Sequence, residues 1–157
     1  MPINFVLALE NGSLEVSLGR DYVDAQFDQG GYIPRSVPTR NIVNFSYNGN
    51  NGLDWALSIK DVQKQSKVAS EEHDEEPNGG DDNDHEHEEH VETPTDGYQW
   101  VNFSLSQEIK MSESEAITVS FFAKNLLNKV ARNHSSFVKD EVPLPGRNMG
   151  FKVNYSF

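Results

Sequence analysis

Four of the five histidines in this 157-residue chain fall in one stretch, Glu71 to Glu92, which reads EEHDEEPNGGDDNDHEHEEHVE. His73, His85, His87 and His90 alternate there with twelve carboxylates and no Lys or Arg. Imidazole with carboxylate is a ligand set suited to Zn²⁺, Cu²⁺ or Ni²⁺, whereas carboxylate alone suits Ca²⁺ or Mg²⁺. The spacing His85-x-His87-x-x-His90 puts three imidazoles within six residues, close enough to wrap one ion, with Asp74, Asp82 and Asp84 among the nearby carboxylates. Such a composition cannot bury a core and predicts a segment that stays disordered until it binds. The entropy lost on ordering then limits affinity and selectivity. The plainer reading is a solvated acidic loop with incidental His; the clustering of four His favours metal capture.

The fifth histidine, His134, sits in Arg132-Asn133-His134-Ser135. It is expected either to take metal from the capture loop or to hydrogen-bond within its own loop. Arg132, Lys139, Asp140 and Arg147 are expected to pair and order that loop. The chain shows no supported Ser/His/Asp arrangement, no phosphate-binding Gly loop and no isolated carboxylate pair, so it is not expected to be an enzyme or to hold a prosthetic group.

Charge is as uneven as histidine. The net charge of −12 is carried by the acidic stretch, because the remainder holds thirteen acids against thirteen bases. No basic stripe is present for a nucleic-acid partner. No run of about 18 apolar residues exists, which excludes a transmembrane helix but not a barrel, whose strands show only half their residues to lipid. The opening MPINFVLALENG lacks the pattern of a signal peptide. With no cysteine, disulfide scaffolds and thiolate-bound metals are excluded.

The elements that must carry these residues read as strands. The last ten residues, NMGFKVNYSF, alternate strictly: Met149, Phe151, Val153, Tyr155 and Phe157 against Gly150, Lys152, Asn154 and Ser156. The same period appears in Ser13 to about Phe27, loosening past Arg20, and in Asn41 to Asn48, Leu53 to about Ser70, Tyr98 to Ile109 and Ala116 to about Leu126, while Asn4 to Leu9 is a short apolar piece. Phe122 interrupts the polar row of its strand. Connections alternate short and long: 10–12 short, 28–39 long, 49–52 short, 71–97 long, 112–115 short, 129–147 long. Outer-membrane barrels have this asymmetry, with tight periplasmic turns and long extracellular loops. The reading is therefore all-β, an antiparallel transmembrane β-barrel segment of about seven strands. Phe45, Tyr47, Trp55, Phe103, Tyr155 and Phe157 would lie on the lipid face or in its aromatic girdle. A soluble β-sandwich is the competing fold.

From Tyr32 onward the chain resembles the C-terminal barrel of TonB-dependent outer-membrane receptors. The matching pieces are Tyr32-Ile33-Pro34-Arg35, Glu92-Thr93-Pro94-Thr95-Asp96-Gly97-Tyr98, and above all Lys124-Asn125-Leu126-Leu127-Asn128. Ala131-Arg132-Asn133-His134-Ser135-Ser136-Phe137, Lys139-Asp140, Pro143-Leu144-Pro145-Gly146-Arg147-Asn148 and Phe157 follow. Together they look like the subgroup linked to zinc uptake. The resemblance implies a cell outer-membrane location with a periplasmic C-terminus. It implies as partners lipid, the remaining strands of a barrel of about 22, a plug domain, TonB through a more N-terminal part, and the assembly machinery reading the Phe157 strand. The plug and the TonB-contacting motif are absent from these 157 residues, which are read as one barrel portion, 1–157, and a fragment of the receptor. Zn²⁺, or Cu²⁺ or Ni²⁺, would be the captured and transported ion. Two alternatives stand beside it: a receptor for an iron-siderophore or other organic substrate, and a soluble secreted metal-binding β-domain.

Overall fold

The computed structural model describes residues 2–69 and 92–157. Seven strands form one antiparallel sheet in chain order: β1 (Ile3–Leu9), β2 (Gly12–Asp21), β3 (Arg40–Gly49), β4 (Leu53–Val62), β5 (Tyr98–Lys110), β6 (Ala116–Lys124) and β7 (Asn148–Ser156). The sheet is open, with β1 and β7 at its edges, and among the described residues there is no helix. Strands β2 to β7 have nine to thirteen residues each. A tilted strand needs about nine to eleven to cross a hydrocarbon layer.

The pairing register turns the sequence alternation into two faces. One row runs Leu14, Tyr47, Trp55, Leu105, Phe121, Phe151 across β2 to β7, each residue opposite the next. A parallel row joins Phe5, Val16, Phe45, Leu57, Phe103 and Ala123. Rings meet along these rows: Tyr47 stacks on Trp55 at 6.0 Å, and Phe121 lies 5.0 Å from Phe151. The opposite face carries Ser17, Asn44, Ser58, Asn102 and Ser120, with Lys60 and Lys152. Cross-strand pairs of this kind fix the register, since a one-residue slip would send every apolar side chain to the polar face. Phe122, the exception in the polar row, pairs with Gly150, and a Cβ added to that glycine would lie 2.6 Å from the Phe122 ring. The glycine makes room for the ring.

Nothing in the described residues covers the apolar face. Phe151 is 78% exposed and Phe157 93%. Only Val62 and Ala123 are buried within the strands, both at the end of the sheet from which the long connections leave. The alternation of connections holds: 10–11, 50–52 and 111–115 are short, and 22–39, 63–97 and 125–147 are long.

Three strands stop earlier than their sequence patterns suggest. β2 ends at Asp21, short of Phe27; β4 ends at Val62, short of Ser70; and β6 ends at Lys124. Beyond Val62 neither neighbouring strand continues, because β3 begins at Arg40 and β5 at Tyr98. The polar run Gln63 to Lys67 therefore keeps only one isolated bridge, Gln65 to Thr95. Alternation without a partner does not make a strand.

Candidate functional site

The polar residues that the fold brings together lie where the three long connections meet. Asn125 and Asn128, at the start of 125–147, adopt left-handed φ values of 49° and 51°. Asparagine tolerates that region because its short side chain can bond locally. Asn125 is fully buried; its amide nitrogen donates to the Lys129 and Pro145 carbonyls at 2.9 and 3.1 Å, and its oxygen accepts the Lys129 N–H at 2.9 Å. Asn128 Oδ1 accepts the Arg147 N–H at 3.0 Å. Two asparagines of the Asn-Leu-Leu-Asn element thus tie the start of this connection to its end.

The same connection then presents His134 and Lys139, both buried, to Glu92. Glu92 is the hub. Its Oε1 accepts the Arg35 N–H at 2.7 Å and its Oε2 accepts the Ala69 N–H at 2.8 Å. Lys139 Nζ stands 3.5 Å from Oε1 and donates to the Thr93 carbonyl at 2.6 Å. The Glu92 side chain is only 8% exposed. One carboxylate thereby receives groups from 22–39, from the outgoing arm of 63–97 and from 125–147. Around it, Gln65 donates to the Ser36 carbonyl at 3.2 Å, Lys67 pairs with Asp24 at 2.8 Å, and Thr93 donates to Asp140 at 2.7 Å. The Arg35 guanidinium lies 3.8 Å from the centre of the Phe137 ring.

His134 is enclosed on both sides. Its Nδ1 is 3.0 Å from Thr95 Oγ1 and 3.5 Å from the Lys139 ammonium. An ammonium can only donate, so Nδ1 is the acceptor nitrogen and the proton of the neutral ring sits on Nε2. Nε2 lies 3.1 Å from Glu92 Oε1 but out of line for a hydrogen bond. Burial and the Lys139 charge push the His134 pKa down, against the upward pull of Glu92. Burial works against the Glu92 charge, yet the Ala69 and Arg35 amides and Lys139 outweigh it and hold the carboxyl below its usual range. The cluster is a neutral imidazole beside a carboxylate–ammonium pair. For His134 to ligate a metal, it would have to shed its Nε2 proton or give up Thr95 and Lys139.

The other metal candidates, His73, Asp74, Asp82, Asp84, His85, His87 and His90, lie outside the described residues. Among the described residues no three His, Asp or Glu side chains gather closely enough to hold a metal ion. Lys139 and Asp140 bond to Glu92 and Thr93 of the neighbouring connection, not to the arginines with which they were expected to pair. Arg132 donates to the Lys139 carbonyl, and Arg147 bonds to Asn128 through its backbone N–H. Sequence reasoning missed Glu92, which looks like the last of twelve equivalent acids. The signal was its neighbours: Thr93-Pro94-Thr95 ends the acidic composition and starts the descent into β5.

No family model matches the chain, and no curated protein matches it. Among solved structures, the chain is similar to one described as "Copper transporter OprC", with a TM-score of 0.64 and 17% identity. The match covers 99% of this chain and 22% of that one, so the chain spans about a fifth of that protein's length. At this identity the likeness carries the fold, an open all-β sheet that matches part of an outer-membrane barrel.

Proposed function

We propose that the chain is the C-terminal barrel portion of a TonB-dependent outer-membrane receptor for a transition metal, and that residues 71–92 capture the ion outside. The observation that supports this most is where the His/acid segment is rooted. Ala69, just ahead of it, and Glu92, its last residue, are joined at 2.8 Å at the long-loop end of a membrane-type sheet. A capture segment belongs at that end, ahead of the lumen. Transport itself would need the rest of the barrel and a plug moved by TonB.

Zinc is the favoured ion, from the imidazole–carboxylate set and the motif resemblance. Copper is the second reading, favoured by the name of the similar structure and by the stronger affinity of nitrogen–oxygen sites for Cu²⁺ than for Zn²⁺. The uncovered apolar rows argue against a soluble domain. The test is titration of the chain in detergent with Zn²⁺, Cu²⁺ and Ca²⁺, beside a variant with His73, His85, His87 and His90 all changed to Asn. The variant keeps all twelve carboxylates, so it should lose Zn²⁺ and Cu²⁺ and retain weak Ca²⁺ binding. Equal Zn²⁺ binding by both proteins would make the segment a generic polyanion and end the metal reading. Zn²⁺ binding should also weaken from about pH 7.5 to 5.5, because an imidazole with a reference pKa of about 6.5 must be deprotonated to ligate.

A further inference from the structure

We infer that the polar wall of the sheet, just inside its long-loop end, binds an aromatic carboxylate, so that the metal passes this barrel as a complex with an organic acid and not as a bare dication. The identity of the cargo as a metal rests on the transition-metal reading above. The observation is a pairing of rings with lysines on a face otherwise made largely of Ser and Asn. Lys60 lies directly opposite Trp100 on one side and Ile42 on the other. Tyr98 meets Trp100 edge to face at 6.1 Å. On the next strand, Phe122 stands two residues from Lys124 on the same face, and its partner Gly150 stands two residues from Lys152. The Phe122 ring takes the space that a side chain at position 150 would fill, and it is still 37% exposed.

The charges of this wall are sorted along the strands. No acid stands across the ladder from the three lysines: Lys124 faces Asn148, and Lys152 faces Ser120. Asp21, at the long-loop end, is held by Arg40 at 2.8 Å. Glu15, Asp54 and Glu108 lie nearer the short turns. A bare dication descending from the long loops would meet ammonium groups first, and protein walls screen that repulsion poorly. An anion is drawn by the same groups, with its carboxylate accepting from the lysines. The rings add what a simple anion would not use. Aromatic surface on a wet wall gains nothing from the lipid that covers the opposite face. A conjugated acid can stack on it while its carboxylate reaches the neighbouring ammonium. Ring and charge together select an aromatic carboxylate over a bare metal ion or a small inorganic anion.

Fluorescence of the whole chain in detergent tests this. The chain has two tryptophans, Trp55 and Trp100, so Trp55→Phe leaves Trp100 as the sole reporter. The probe is the anionic, exchange-inert Co³⁺ complex of dipicolinate, which carries flat aromatic carboxylate ligands and cannot hand its metal to histidine. It should quench Trp100 saturably. Lys60→Gln should weaken its affinity about two- to fivefold, the scale of one partly exposed ion pair. Lys60→Arg, which keeps the charge, should retain most of it. The cationic Co³⁺ hexaammine complex should lose no affinity in Lys60→Gln. Quenching that does not saturate, equal affinity of the anion for Lys60→Gln and the parent, or an equal fall in Lys60→Gln and Lys60→Arg would overturn the site. So would a hexaammine that weakens alongside the anion. The capture reading has its own test in the four-histidine variant, which leaves every residue of this wall in place, so either can fail alone.

Discussion

The two ends of this sheet are built on different physics. At the long-loop end, Val62, Gln65, Thr95, Ala123, Asn125, Ala131, His134 and Lys139 are buried, and most of them are polar. Through the span and at the short-turn end no side chain is buried, although apolar rings line one face in continuous rows. The loops pack against one another, so their polar groups must find partners inside the protein. The strands satisfy their backbone groups in the ladder and leave the apolar side chains to whatever surrounds the sheet. In a barrel that neighbour is lipid outside and water within. The chain thus carries its own core only where no membrane would supply one.

The largest expected effect breaks or keeps the two faces of the span. Phe45 lies mid-strand between Val16 and Leu57; Asn44, beside it on the other face, lies between Ser17 and Ser58. Phe45→Lys should destabilise the sheet in lipid by about 3 kcal/mol, the scale for a Lys on the lipid face near the midplane. Asn44→Lys should cost well under half of that, since its side chain stays among polar groups. Urea titrations of both variants in lipid vesicles make the comparison. Equal costs would show that the faces do not divide lipid from water.

Next in size is the buried amide at the other end. Asn125→Ala removes three side-chain hydrogen bonds and puts a Cβ residue with no local bond at a φ of 49°. The expected cost is about 2 kcal/mol, from unsatisfied buried groups and left-handed backbone. Loss of protection should be confined to 125–147 and its neighbours. Asn125→Gly restores the backbone preference but not the bonds, so it should recover only part of the loss. A variant as stable as the parent would mean that the Asn-Leu-Leu-Asn element does not hold the loop.

How much of this could be read from the sequence follows the same division. Strand number, order of short and long connections and the composition of the faces were legible, because a period of two is a local signal that the ladder obeys. Phe122 stood out as an exception, and only its pairing with Gly150 explained it. The pattern failed where alternation outran its partners, at Gln63 to Lys67. It gave little on the clasp that Glu92 makes with Arg35, Ala69 and Lys139, since only the change of composition at Thr93-Pro94-Thr95 sets Glu92 apart from Glu88 or Glu89. For His134 the sequence allows either a ligand or a loop brace; in the structure its Nδ1 contacts Thr95 and Lys139, and its Nε2 lies beside Glu92 without a hydrogen bond.

A smaller effect should follow acidification, and it should touch the long-loop end alone. His134 sits below its ordinary 6.5 in the folded chain through burial and Lys139, so the unfolded loop binds more protons as pH falls past 6.5. Stability of the clasp therefore declines below that pH until the folded value is reached. Glu92 is also lowered, from 4.5, so its contribution is present above 4.5 and is lost as pH falls through its folded value. The two signs agree: acid loosens the clasp in two steps. Exchange at the Arg35 and Ala69 amides, corrected for intrinsic rates, should show both steps, and His134→Asn should remove the upper one. A clasp that tightens on acidification would reverse the assignment of a neutral His134 beside a charged Glu92.

The smallest effect sharpens the contrast between the ends by placing the same residue type at each. Asn51, in the short turn 50–52, accepts the Leu53 N–H through Oδ1 at 3.2 Å, in an exposed position. Its carbonyl also accepts Gln107 Nε2 at 3.0 Å, a bond that the side chain does not make and that alanine would keep. Asn51→Ala therefore deletes one solvent-exposed hydrogen bond, and water can replace the lost acceptor. The expected cost is about 0.5 kcal/mol, at the low end for a single bond, against about four times as much for Asn125→Ala, where no water reaches the orphaned groups. Both asparagines precede tight backbone bends, and neither stands out by composition. The difference lies in whether the surrounding chain excludes solvent. Parallel urea titrations of the two variants under the same conditions would measure the ratio directly, and a ratio near one would mean that the long-loop end is no better sealed from water than a bare hairpin turn.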